Sequence, residues 1–121
     1  MYYKKDWPPK FRGEGQTYVF DIDGTLCTNT NGDYKKAEPF IKRIEKVNEL
    51  YDNNNTIILF TARGMGRAEG NSKEAQRMFF DMTLNQVEGW GVKHHRLILG
   101  KPAGDHYIDD KGINHEDFFG D

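Results

Sequence analysis

The stretch "TIILF", residues 56–60, constrains this chain most. It is a nearly continuous apolar run with no polar alternation, so as a strand it has no face that suits water. Such strands belong to parallel sheets covered by helices. The flanking sequence supplies the helices. Residues 37–52 place Ala37, Phe40, Ile41, Ile44, Val47, Leu50 and Tyr51 at three-four spacing, with Pro39 tolerated in the first turn. The Asn53-Asn54-Asn55 cluster stops that helix. A second helix is predicted from about Ser72, read as the N-cap, with Ala75, Met78, Phe79 and Met82 inward. Further short strands are predicted at Tyr18–Ile22, "RLIL" (96–99) and "HYID" (106–109), and a short helix at the C-terminus. The order β-α-β-α-β-β predicts an α/β fold with a small, mostly parallel sheet.

With 121 residues the chain suffices for one core. Residues 1–16, rich in Tyr, Lys, Pro and Gly and without periodicity, read as an N-terminal arm. The arm is expected to lay an aromatic or two on the domain, residues 17–121. The formal charge of −2 gives no global reason to expect nucleic acid or an anionic membrane. No apolar run approaches the roughly 18 residues of a spanning helix, and no apolar block follows the N-terminal lysines as in a signal peptide. Cys27 is the single cysteine, which suits a reducing cytoplasm and a role as a small buried hydrophobe. The four histidines show no metal-site spacing, and His95, just before a strand, reads as surface.

In sheets of this kind ligands bind beyond the carboxyl ends of the strands. The first strand delivers Asp21 and Asp23 there, two residues apart and on one side of an extended backbone, with Gly24 turning the chain at once. The second delivers Thr61 and then Arg63, the third leads to Lys101, and the fourth delivers Asp109 and Asp110. A strand-terminal Asp-Gly alone is most often a turn. Four carboxylates gathered at one edge need a neutraliser, and a hard divalent cation with oxygen ligands, Mg²⁺, is the economical one.

The segments "DIDGTL", "LFTAR", "LGKP" and "YIDD" occur in the order and strand positions of the four motifs of haloacid dehalogenase-like phosphatases, and the match runs from about Tyr18 to Gly112. The connecting text further resembles small proteins of capsular and surface polysaccharide pathways. The resemblance implies a three-layer α/β/α, Rossmann-like domain. It implies Asp21 as the nucleophile that forms an aspartyl-phosphate. Asp23 is implied as the proton donor and acceptor, expected to hold a proton more readily than Asp21. Thr61, Arg63 and Lys101 are implied to hold phosphoryl oxygens, with Lys101 also fixing Asp21. Mg²⁺ is implied to be held by Asp21, the Asp23 main chain and the Asp109-Asp110 pair, with Asp110 the direct ligand.

No cap domain fits between the motifs. Selectivity is therefore expected from the loops Leu26–Tyr34 and Arg63–Asn71, from a second copy in a homo-oligomer, or from a large substrate. The expected substrate is a phosphorylated sugar or related metabolite, with the 3′-phosphate of a polynucleotide end as the alternative. Two other classes fit less well. A receiver-type phospho-switch needs an acceptor Asp where the middle strand ends in Thr61. A dinucleotide-binding loop at Gly64, Gly66 and Gly70 has the wrong spacing.

Overall fold

Three short segments pair in parallel in the computed structural model, which describes residues 15–121: β1 (Thr17–Phe20), β2 (Thr56–Thr61) and β3 (Arg96–Leu99), in the order β1-β2-β3. Thr17 pairs with Thr56 and Phe20 with Leu59, while Ile58 pairs with Arg96 and Thr61 with Leu99. "TIILF" is the central strand, as its composition requires. The connections are α1 (Ile41–Asp52) and α2 (Ser72–Gly89), and α3 (His115–Phe119) follows near the C-terminus. The expected arm falls mostly on residues 1–14 and so lies outside the described residues.

The register sorts the side chains into two faces. Phe20, Ile57, Leu59, Leu97 and Leu99 join Ile44 and Val47 of α1 and Val87 of α2 in one buried cluster, onto which Phe118 and Phe119 of α3 also pack. Successive right-handed crossovers in one direction across a sheet put their helices on the same side. The opposite face carries Val19, Ile58, Phe60 and Ile98, none of which enters that cluster. Among the described residues the fold is therefore α/β with helices on one face of the sheet, where three layers were expected.

Three local expectations are corrected. The first helix begins at Ile41, not residue 37, because residues 38–40 are held by the acid loop. Thr28 N–H donates to the Glu38 carbonyl, Glu38 N–H to Thr28 Oγ1, and Phe40 N–H to the Leu26 carbonyl. Asn71, not Ser72, caps α2, its side chain accepting from Glu74 N–H. The predicted strand at 106–109 does not form. Asp109 Oδ1 instead accepts the N–H groups of Lys111 and Gly112, a side-chain turn that competes with strand pairing. Ile108 is left 94% exposed.

His95 is also corrected, from surface to buried. Its Nδ1 accepts from Ile57 N–H at 3.0 Å, its own N–H donates to the Ile57 carbonyl, and its ring stacks on Tyr51 at 4.5 Å. Ile41 and Met78, expected inward, are exposed.

Candidate functional site

β1 ends at Phe20, and the chain stays extended long enough for alternation to persist. Ile22 is fully buried in the core, whereas Asp21 and Asp23 point the other way, partly exposed. Gly24, with φ +82°, then turns the chain, its N–H donating to the Cys27 carbonyl. The two carboxylates therefore project together from the carboxyl end of the sheet.

Each has a protein cation. Asp23 meets Arg63 side-on, its Oδ2 accepting from Nε and its Oδ1 from Nη2, both at 2.9 Å. The Arg63 side chain has no exposed surface and that of Asp23 has 17%. Asp21 lies 3.8 Å from Lys101 Nζ, across a less buried gap. Lys101 is held at this place by its N–H, which donates to the Thr61 carbonyl at the end of β2. Its ammonium also sits 4.3 Å from the centre of the Tyr107 ring. Thr61 is buried, and its Oγ1 accepts the Arg63 N–H at 3.1 Å.

Asp21, Asp23, Thr61, Arg63 and Lys101 are thus brought together. Asp109 and Asp110 are not. Both are exposed on the irregular segment after Lys101, where Asp109 Oδ1 accepts from the backbone N–H groups of Lys111 and Gly112. Among the described residues no group of three or more His, Cys, Asp or Glu is close enough to hold a metal ion. Arg63, expected on phosphoryl oxygens, is instead committed to protein partners: Nη1 donates to Gln86 Oε1 at 2.6 Å and to Thr83 Oγ1.

The two carboxylates sit in different surroundings, Asp23 accepting two hydrogen bonds from a guanidinium. Burial acts on Asp21, raising its carboxyl above the ordinary value, opposed by Lys101 and by the Ile22 backbone N–H. Cys27 is fully buried, as expected of a small hydrophobe, and its thiol is pushed up to about 12, first by burial and then by the Asp23 charge.

Sequence reading missed three residues. Tyr34 carries the Arg63 guanidinium 4.7 Å above its ring and accepts the Gly64 N–H on its hydroxyl. A lone tyrosine in a polar loop gives no signal of this. Gln86 does leave a trace, as a polar residue beside Thr83 and Val87 where α2 turns inward. Arg43, nearly buried in α1, donates to Asp121, to the Thr25 carbonyl just after the acid pair, and to His115 Nδ1. Its place on an otherwise apolar helix face was the clue.

The fold and site define an α/β chain whose parallel sheet gathers two carboxylates, two cations and a hydroxyl at its carboxyl edge. The chain is similar in structure to an MCSG target from Vibrio cholerae solved by crystallography. That match has a TM-score of 0.79 and 27% identity, and covers 86% of this chain and 87% of that one. No protein-family model and no curated protein matches the chain. Among the described residues no helix is long and apolar enough to cross a membrane.

Proposed function

We propose that this chain is a phosphatase of the haloacid dehalogenase-like type, acting on a phosphorylated sugar or related metabolite through an aspartyl-phosphate. The observation that carries the reading is the Asp21–Lys101 pair at the carboxyl edge of the sheet, 3.8 Å apart, with Asp21 partly open to solvent. A carboxylate made more basic by burial, yet held near an ammonium, is a competent nucleophile. Its oxygen attacks phosphorus, the bond from phosphorus to the leaving oxygen breaks, and that oxygen takes up a proton. Water then attacks the acyl phosphate and releases inorganic phosphate, restoring Asp21. Lys101 offsets charge on the phosphoryl group in both steps. Asp23, two residues on and oriented by Arg63, exchanges the protons.

The resemblance implies Mg²⁺, which would neutralise the meeting of two anions. The residues as placed do not complete its ligand set, because Asp110, the implied direct ligand, lies exposed on the irregular segment after Lys101, and among the described residues no group of three or more His, Cys, Asp or Glu gathers there. The ion's contribution is read directly in the assay.

The test is phosphate release from a panel of sugar phosphates, nucleotides and 3′-phosphorylated oligonucleotides, with and without Mg²⁺, beside Asp21→Asn. Turnover of sugar phosphates that falls by about a thousandfold in the variant, some 4 kcal/mol of barrier, supports the reading. Equal turnover by the variant ends the nucleophile assignment. Activity confined to oligonucleotides moves the substrate to polynucleotide ends.

A further inference from the structure

With no cap, the loops Leu26–Tyr34 and Arg63–Asn71 have to shape the site, and the structure ties them to each other at Tyr34. The tyrosine opens a single 3-10 turn, Tyr34–Lys36, and every part of it is engaged. Its hydroxyl accepts the Gly64 N–H at 2.9 Å. Its ring lies 4.7 Å from the Arg63 guanidinium carbon and meets Phe79 edge-on at 5.2 Å. Its carbonyl accepts from Gln86 Nε2 at 2.8 Å, while Oε1 of the same glutamine accepts from Arg63 at 2.6 Å. A second tie runs parallel to it, where Arg67 donates to the Gly32 carbonyl and lies over the outer ring, Phe79.

We propose that Tyr34 is a positioning residue of this site, acting on two targets through two different parts of its side chain. The inference rests on the phosphatase reading for its catalytic consequence. The ring, with Gln86, holds Arg63 against Asp23. A guanidinium confined between an aromatic face, an amide oxygen and a carboxylate has few other places to go, so the ring fixes the orientation of Asp23. The hydroxyl acts separately. It anchors Gly64 in the loop that follows Thr61, so it sets the wall against which a substrate rests.

The two parts predict a split in the kinetics. Tyr34→Phe keeps the ring over Arg63 and gives up only the Gly64 hydrogen bond. It is expected to raise KM by about fivefold with kcat within about twofold of wild type. Tyr34→Leu removes the ring as well, and is expected to lower kcat by about tenfold in addition. Gln86→Leu releases Arg63 from the other side and serves if Tyr34→Leu does not fold; its kcat should fall in the same way.

The test combines these kinetics, on variants shown by thermal melting to be folded, with solvent exchange of the Arg63 Nε–H read by nitrogen-15 NMR. That proton is expected to be protected in wild type and to exchange at least about tenfold faster in Tyr34→Leu, with protection retained in Tyr34→Phe. Parallel loss of kcat and unchanged KM in Tyr34→Phe, or unaltered Nε–H exchange in Tyr34→Leu, overturns the proposal. A wild-type protein without phosphatase activity removes the reading of the reaction instead. The exchange measurement still decides whether Tyr34 holds Arg63.

Discussion

Replacing Arg63 by methionine isolates the most buried ion pair among the described residues. The change strips both Asp23 oxygens of their guanidinium donors, leaving Oδ1 the weak Cys27 thiol at 3.5 Å and only 17% of the side chain exposed. Breaking a buried pair by removing one partner costs about 3–5 kcal/mol, and the residual exposure of Asp23 favours the low end. Gln86 Oε1 also loses its donor, adding about 1 kcal/mol. A total near 4 kcal/mol is a large part of the roughly 5–15 kcal/mol that holds a domain of this size. With a urea slope of about 2 kcal/mol/M, the midpoint should fall by about 2 M. Urea titration of Arg63→Met, Asp23→Leu and the double variant forms the deciding cycle. The double variant should recover about 2–3 kcal/mol relative to the sum of the singles, because no carboxylate is then stranded. A coupling below about 1 kcal/mol, as for exposed ion pairs, would refute the claim that Arg63 is what makes Asp23 tolerable there.

Two further outcomes concern the same edge of the sheet. Burial holds the Asp21 carboxyl above its ordinary 3.8, so the fold keeps a proton that the unfolded chain gives up. Its favourable contribution is complete below 3.8 and lost as pH rises through the raised value. Asp21→Asn should therefore be the more stable protein at neutral pH and level with wild type near pH 3. Urea midpoints showing the same gap at both pH values would contradict this. Gly64 has φ +80°, and a Cβ there would lie 2.5 Å from Phe79 Cδ2. Gly64→Ala should cost about 1–3 kcal/mol by thermal melting, with Phe79→Leu restoring the part due to contact but not the part due to backbone. A loss under about 0.5 kcal/mol would show that the loop shifts freely.

What could be read ahead of the structure follows from what is local. Apolar runs and three-four spacing identified β1, β2, β3, both long helices and the C-terminal helix, because period and burial are written into neighbouring residues. "HYID" misled because its two apolar residues are adjacent rather than alternating, and the Asp109 side chain satisfies the backbone that a strand would have paired. The start of α1 was misplaced because hydrogen bonds from the acid loop hold residues 38–40, a partner no spacing rule reveals. At the site, Asp21, Asp23, Thr61, Arg63 and Lys101 could be gathered from strand ends alone. The pairing of Lys101 with Asp21 was implied by the resemblance, but that of Arg63 with Asp23 was not, because it depends on the packing of Tyr34 and Gln86, contacts between distant parts of the chain.

The parallel register carries a kinetic consequence. Thr17 must find Thr56 and Ile58 must find Arg96, and each meeting closes a loop of about forty residues at an entropic cost of roughly 3 kcal/mol. Helices coil within microseconds, whereas these closures wait on diffusion of long tethers. During that delay the middle strand has neither neighbour, and its sticky backbone is open to other molecules in the tube. Refolding yield should accordingly rise on dilution.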